Sequence, residues 1–201
     1  MKMEDLGEPH TTEEEILIAT YHALVEYGYA GLTIEKIGEH FEKSPSLIYH
    51  HFENKDQVVL ACLEFMLDRY KERIPQADLS DSPDHLCEFL DHVFRSMHST
   101  EDAAFLALLV DLRSQAVHNE AYREHFSRSD RIFRDHFAAV IERAQEEGSI
   151  TVDDETAAAD LVLTVLIGSL VRGTTAEDTD WTDRVSDAIF AYLNDRNDRG
   201  E

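Results

Sequence analysis

From Lys43 to Phe52 the chain reads Lys-Ser-Pro-Ser-Leu-Ile-Tyr-His-His-Phe and holds no carboxylate, while Glu42 and Glu53 stand at its two ends. The full sequence carries 42 acidic residues in 201, a rate that would place about two in any ten. Lys, Ser, Tyr and His all donate hydrogen bonds to phosphate oxygens, and a surface that approaches phosphates is weakened by Asp or Glu. Recognition of a polyanion is the chemistry these types suit. Chance alone also produces gaps of this length, so the spacing inside the run matters. Ser44-Pro45 reads as an N-cap and first helical residue. Beyond it, Ile48 and Phe52 fall at i, i+4 and face inward. Ser46, Leu47, His50 and His51 are left to reach outward.

Other chemistries find less support. The sequence has no Gly-rich phosphate loop, nucleophile elbow, Cys-x-x-Cys pair or recognisable pair of catalytic carboxylates, so no enzyme is predicted. Eleven His raise the question of metal. His85, Glu88 and His92 share one helical face near Cys87, and His118 and His125 lie seven apart, but neither set matches a tight ligand motif. No metal and no cofactor are therefore expected. A helical protein-interaction adaptor and a metal-sensing regulator stand as alternatives.

The elements that must position the Lys43–Phe52 run are helices. Apolar residues recur at three- and four-residue spacing, and there are only eight Gly and four Pro. Thr12 with Glu15 forms a capping-box pattern for a first helix. Its stripe is Ile16, Ala19, Ala23, Leu24 and Tyr27, and Gly28 ends it. Thr33 starts a short helix carrying Ile34, Ile37 and Phe41. Asn54 caps a longer one carrying Val58, Val59, Cys62, Leu63, Met66, Leu67 and Tyr70. The polar segment between Pro75 and Pro83 marks a boundary. Further helices are predicted near 83–98, 101–117, 120–147 (with a bend around Ser127 to Asp130), 154–172 and 180–196. The reading is all-α: a three-helix helix-turn-helix domain over 1–56, a linker helix and loop over 57–82, and a helical domain over 83–201.

The formal charge is −24, yet 43% of residues are hydrophobic and periodic, which excludes a disordered acidic chain. A strongly basic partner or a salt-loving source remains, and the second is favoured because dense carboxylates keep a protein hydrated in brine. Cys62 and Cys87 make no disulfide framework. The first ten residues lack the apolar run of a signal peptide, and the longest apolar stretch, Leu161 to Val171, is short for a membrane span. A cytoplasmic protein without membrane contact is expected.

Residues 12–58 resemble the DNA-binding domain of the TetR family of regulators. The resemblance rests on Thr12 to Leu24, Gly28-Tyr29 before Leu32-Thr33-Ile34, Ile37, and above all Ile48-Tyr49-His50-His51-Phe52-Glu53-Asn54-Lys55. It implies a homodimer on palindromic double-stranded operator DNA, usually a repressor. Phosphate contacts fall to Thr33, Tyr49 and Lys55, the last near a helix N-terminus that favours anions. Ser44, Ser46, Leu47 and His50 approach bases or sugar-phosphate, Leu47 against a thymine methyl. The chain departs from the family at Glu42 and Lys43, where a Gly and a small apolar residue are usual. A non-Gly residue in a left-handed turn costs about 1 kcal/mol, and Lys43 is expected to turn outward toward phosphate.

The resemblance also implies an effector-binding and dimerising domain after residue 83. Pocket candidates are Phe89, Val93, Phe94, Met97, Phe105, Leu109, Leu112, Phe133, Phe137 and Leu163, with plain core filling the alternative for each. They suit an apolar or amphipathic small molecule. The dimer surface is expected at Leu161, Thr164, Val165, Gly168 and Ser169, joined by Ala188, Ile189 and Tyr192. Residues 1–75 hold fifteen acids and seven bases, so even the DNA-binding part is anionic. Binding is therefore expected to survive, or strengthen, between ~0.5 and 2 M KCl, where charges are screened within a few ångströms.

Overall fold

The structure is a computed structural model and describes residues 7–73, 100–148, 150–178 and 180–194. Among these residues there are eight α-helices and no strand, as the all-α reading expects. They are α1 (Thr12–Gly31), α2 (Ile34–Glu39), α3 (Ser46–His51), α4 (Lys55–Arg73), α5 (Thr100–Gln115), α6 (Glu120–Glu146), α7 (Glu155–Thr175) and α8 (Trp181–Asn194). The helix expected near 83–98 lies outside the described residues, as do the pocket candidates Phe89, Val93, Phe94 and Met97 and the His85, Cys87, Glu88 and His92 set. The chain forms two compact units, one within Met1–Gln76 and Ala104–Ser127, the other within Ala77–Ala103 and Arg128–Glu201.

In the first unit α1 packs against α2 and α4. Ile16, Ala23, Ile37, Ile48, Val58, Val59 and Cys62 are completely buried there. Burying apolar side chains of this size contributes about 1.5–3 kcal/mol each. The Cys62 thiol donates to the Leu17 carbonyl at 3.4 Å, and burial pushes it up to about 12, which makes it inert packing. Phe105, Leu108, Leu112, Tyr122 and Phe126 join this same core.

Helix ends differ from the sequence reading by single residues. Thr11, not Thr12, caps α1: its hydroxyl accepts from Glu14 N–H at 3.1 Å, and the Glu14 carboxylate accepts from His10 N–H at 2.7 Å. The Thr11 hydroxyl serves the Glu14 N–H and the Glu14 carboxylate serves the His10 N–H, leaving Glu15 for another partner. Gly28, at φ 65, breaks α1, and one further turn follows before Leu32. Helix α3 starts at Ser46, with Pro45 as N-cap and no side-chain cap, so Ser44 contributes its carbonyl to Leu47 N–H instead. Asn54 does cap α4, accepting from Gln57 N–H at 3.0 Å. Helix α6 is one continuous helical stretch from Glu120 to Glu146.

The turn between α2 and α3 carries no left-handed strain. No non-Gly residue among those described has a positive φ, so Glu42 does not incur the expected cost. The tight spot is Gly38, where an added Cβ would meet Pro45 Cγ at 2.9 Å. The glycine this turn requires therefore precedes it, on α2, where α3 begins against it.

In the second unit Phe137, Ile141, Ala158, Ala159, Val162 and Leu193 are buried. Asp154 caps α7, accepting from Ala157 N–H at 2.9 Å. Helix α7 is longer than the apolar run read from the sequence and matches a membrane span by length and composition alone. It packs against α8 and buries Ala158, Ala159, Val162 and Ser169, a pattern that a helix half sunk in its own helical unit also satisfies.

Candidate nucleic-acid interface

Helix α3 is one and a half turns long and is held by what it buries. Ile48 is fully covered, Phe52 nearly so, and Leu47 is half-buried against the same core. Leu47 thus points less freely outward than its position in the sequence suggests, and only part of it is left for a ligand. The opposite side is open. Ser44, Ser46, Tyr49, His50 and His51 are all exposed, Tyr49 by 58%. The hydroxyls of Ser44 and Ser46 lie 2.9 Å apart. The exposed Tyr49 ring adds little to the core beneath α3.

Each donor expected to meet phosphate is held within the first unit. Thr33 caps α2 by accepting from Lys36 N–H at 3.3 Å. Tyr49 donates its phenol to Glu35 Oε1 at 3.3 Å. Slight desolvation and then the Glu35 charge raise the Tyr49 phenol above its ordinary value. The Glu35 carboxyl is lowered, first by its own backbone N–H, then by the Thr33 hydroxyl, with Tyr49 adding to both. Lys43 reaches outward as expected, but its Nζ lies 2.6 Å from Glu15 Oε2 and donates to Thr12 Oγ1 at 3.1 Å. Lys55 is half-buried, donates to the Tyr29 carbonyl at 3.0 Å and sits 4.2 Å over the Tyr29 ring.

Behind the interface Tyr29 donates to Asp56 Oδ1 at 2.6 Å, and its ring meets that of buried Tyr122 edge-on at 6.0 Å. Burial raises the phenols of Tyr29 and Tyr122. Beside the turn, His40 Nε2 lies 3.1 Å from Glu26 Oε2, and the His40 ring stacks on His22 at 5.9 Å. Sequence reading missed Glu15, Glu35 and Tyr29 as partners of the site. The only signal was that Glu15 and Tyr29 fall in the stretches that carry the TetR resemblance, with Glu35 directly after Thr33-Ile34.

The other expected sites are only partly assembled. Phe105 and Leu112 are buried in the core of the first unit, and Leu109 packs against it. In the second unit Phe137 is buried, its ring 6.4 Å from that of half-buried Phe133, and Leu163 is half-buried on α7. Five of the dimer-surface candidates do come together. Leu161, Val165, Ala188, Ile189 and Tyr192 line one apolar cleft of about 390 Å³, together with Trp181 and Arg172. Thr164 and Gly168 are exposed on α7, whereas Ser169 is buried inside the unit. His125 is buried, its Nδ1 2.6 Å from Glu64 Oε1, and is not near His118 in role: His118 is exposed. Among the described residues no group of three metal-binding side chains occurs.

Comparison with known proteins gives a consistent picture. The family of bacterial regulatory proteins of the tetR type matches over residues 16–62, and the C-terminal region of BetI-type transcriptional repressors over residues 86–196. The transcriptional repressor AcnR of Corynebacterium diphtheriae is 26% identical over 181 residues, which is 88% of either chain. The transcriptional regulator UidR of Escherichia coli K12 is 25% identical over 177 residues, 85% of each. A TetR transcription regulator from Haloarcula marismortui superposes with a TM-score of 0.75 at 29% identity, covering 90% of this chain and 96% of that one.

Proposed function

The chain belongs to the TetR family of transcriptional regulators, which are DNA-binding proteins rather than enzymes, and on that premise we propose a dimeric repressor released from its operator by a small molecule. The observation that carries the DNA-binding face is the exposed, carboxylate-free side of α3, with Tyr49 standing out by 58%. Tyr49, Lys43, Lys55 and Thr33 hold phosphates and fix register, while Ser44, Ser46, Leu47 and His50 meet base edges or sugar. Two copies joined through the apolar cleft of α7 and α8 bring two α3 helices to successive major grooves, about 34 Å apart. An apolar or amphipathic effector among the C-terminal helices favours a dimer with a different spacing, and the operator is freed by population shift. The domain boundaries at residues 56 and 82 belong to this reading, as does a cytoplasmic site of action.

The charge of −24 and the likeness to a Haloarcula regulator support a protein at work in concentrated salt. The test is retention of genomic fragments in a gel shift run at about 1 M KCl. Tyr49→Phe removes one phosphate hydrogen bond and is expected to weaken binding roughly fivefold. Lys55→Ala weakens it more, with helicity by circular dichroism unchanged for both. If neither variant differs from the wild type, α3 and the start of α4 are not the site.

A further inference from the structure

We infer that Glu15 and Glu35 are internal counter-ions which DNA phosphates replace on docking, so that the salt dependence of binding is flattened by the protein itself. This rests on the DNA-binding reading of α3. Two of the proposed phosphate donors already hold a carboxylate in the free protein. Lys43 Nζ lies 2.6 Å from one oxygen of Glu15 and donates to the other at 2.9 Å. Tyr49 donates to Glu35 at 3.3 Å. All four side chains are exposed or half-exposed, so each pair is weak enough for a phosphate to displace. Lys55 offers a contrast within the same site, because its partners, the carbonyl and ring of Tyr29, are neutral.

The ion balance follows. A cation that meets a DNA phosphate releases a condensed counter-ion, and each such contact steepens log K against log salt by about 0.9. When Lys43 exchanges Glu15 for a phosphate, the phosphate releases a cation and the freed Glu15 carboxylate gathers one. The net release is then close to zero. Tyr49 brings no charge, so its move from Glu35 to a phosphate leaves two anions side by side and draws a cation in. Lys55 alone keeps the ordinary contribution. Glu15 therefore acts through Lys43, and Glu35 through Tyr49; both position donors and set the ionic response without touching DNA. Neither is needed to cap a helix, since Thr11 and Glu14 serve α1 and Thr33 serves α2.

The experiment compares full-length wild type, Glu15→Gln, Glu35→Gln, Lys43→Ala and the Glu15→Gln/Lys43→Ala pair on random-sequence duplexes of about 40 base pairs and on duplexes selected by the wild type, across a KCl series. Glu15→Gln is expected to steepen the slope by about 0.9 and therefore to bind about eightfold tighter near 0.1 M. Its line should meet that of the wild type near ~1 M, where the screening length is ~3 Å. Glu35→Gln should steepen it less. In the Lys43→Ala background Glu15→Gln should change the slope little, a coupling that mere removal of a distant charge does not produce. Parallel lines for wild type and Glu15→Gln would overturn the inference while leaving DNA binding intact. Equal steepening with and without Lys43 would overturn it too. Wild-type protein that retains no duplex at any salt would remove the DNA-binding reading and this inference together.

Discussion

The two units finish their surfaces in different ways. The first unit places Ile16, Ile37, Ile48, Val58 and Val59 out of reach of water, and its donors Lys43, Tyr49 and Lys55 hold partners in Glu15, Glu35 and Tyr29. The second unit leaves Leu161, Val171 and Tyr192 between 38% and 45% exposed, and opens an apolar cleft between α7 and α8. On the proposed function the apolar face receives a second copy of the chain, whereas the polar face with weak internal partners receives a ligand that competes for them. One chain thus carries two kinds of unfinished surface, one incomplete by lack of cover and the other complete but exchangeable.

The largest expected effect comes from putting a charge where the second unit lacks cover. Leu161→Asp should shift the dimer dissociation constant by about a hundredfold or more, because an unpaired carboxylate in a closed interface costs ~3–5 kcal/mol. Leu161 is exposed within its own unit, so helicity and monomer stability should hardly change. Sedimentation across a concentration series reads the effect. A dimer as tight as wild type would place the interface elsewhere. The matching change in the first unit is Ile48→Ala, which empties a fully buried position under α3. It should cost about 2–5 kcal/mol of stability, read as a lower urea midpoint at unchanged slope. DNA affinity should fall with it, because Ile48 holds the face that carries Tyr49. The comparison would break if Leu161→Asp unfolded the chain and Ile48→Ala did not.

Legibility in the sequence followed the range of the interactions. The helices themselves, the Asn54 cap and the inward turn of Ile48 and Phe52 depend on neighbours three or four residues away, and these were readable. The α1 cap moved by one residue because Thr11 and Thr12 both offer a hydroxyl, and only the Glu14 bond to His10 separates them. Lys43 reads as an outward cation, but Glu15 meets it from 28 residues away, and Glu35 meets Tyr49 across 14. Such pairs follow from how α1 and α2 approach the turn, which no local pattern encodes. The expected strain at Glu42 failed for a similar reason: the close approach that demands glycine is between Gly38 and Pro45. Phe105 and Leu112 show a different limit. Apolar side chains line cavities and fill cores alike, and these two lie in the core of the first unit.

The smallest expected effect separates the units by acid. Burial, and then the neighbouring His40, hold His22 below its ordinary value, while burial lowers His136 in the second unit. A histidine lowered in the folded state binds its proton more readily when unfolded. Its contribution is therefore complete above about pH 6.5 and is lost as pH falls toward the folded value. His22 faces the His40 ring and, beyond it, the Glu26 carboxylate; Tyr21 meets it edge-on along α1. Acid also neutralises carboxylates on a chain of charge −24, which strengthens wild type and variants alike, so only the difference between them is informative. Between pH 7.5 and 5.5 the Tm of His22→Gln should fall less than that of wild type, by no more than about 2–4 °C, and His136→Gln should behave likewise. Near ~1 M KCl the share that His40 contributes is screened, so the His22 difference should shrink while the His136 difference persists. Equal shrinkage at both positions would mean that charge, rather than burial, governs the second unit as well.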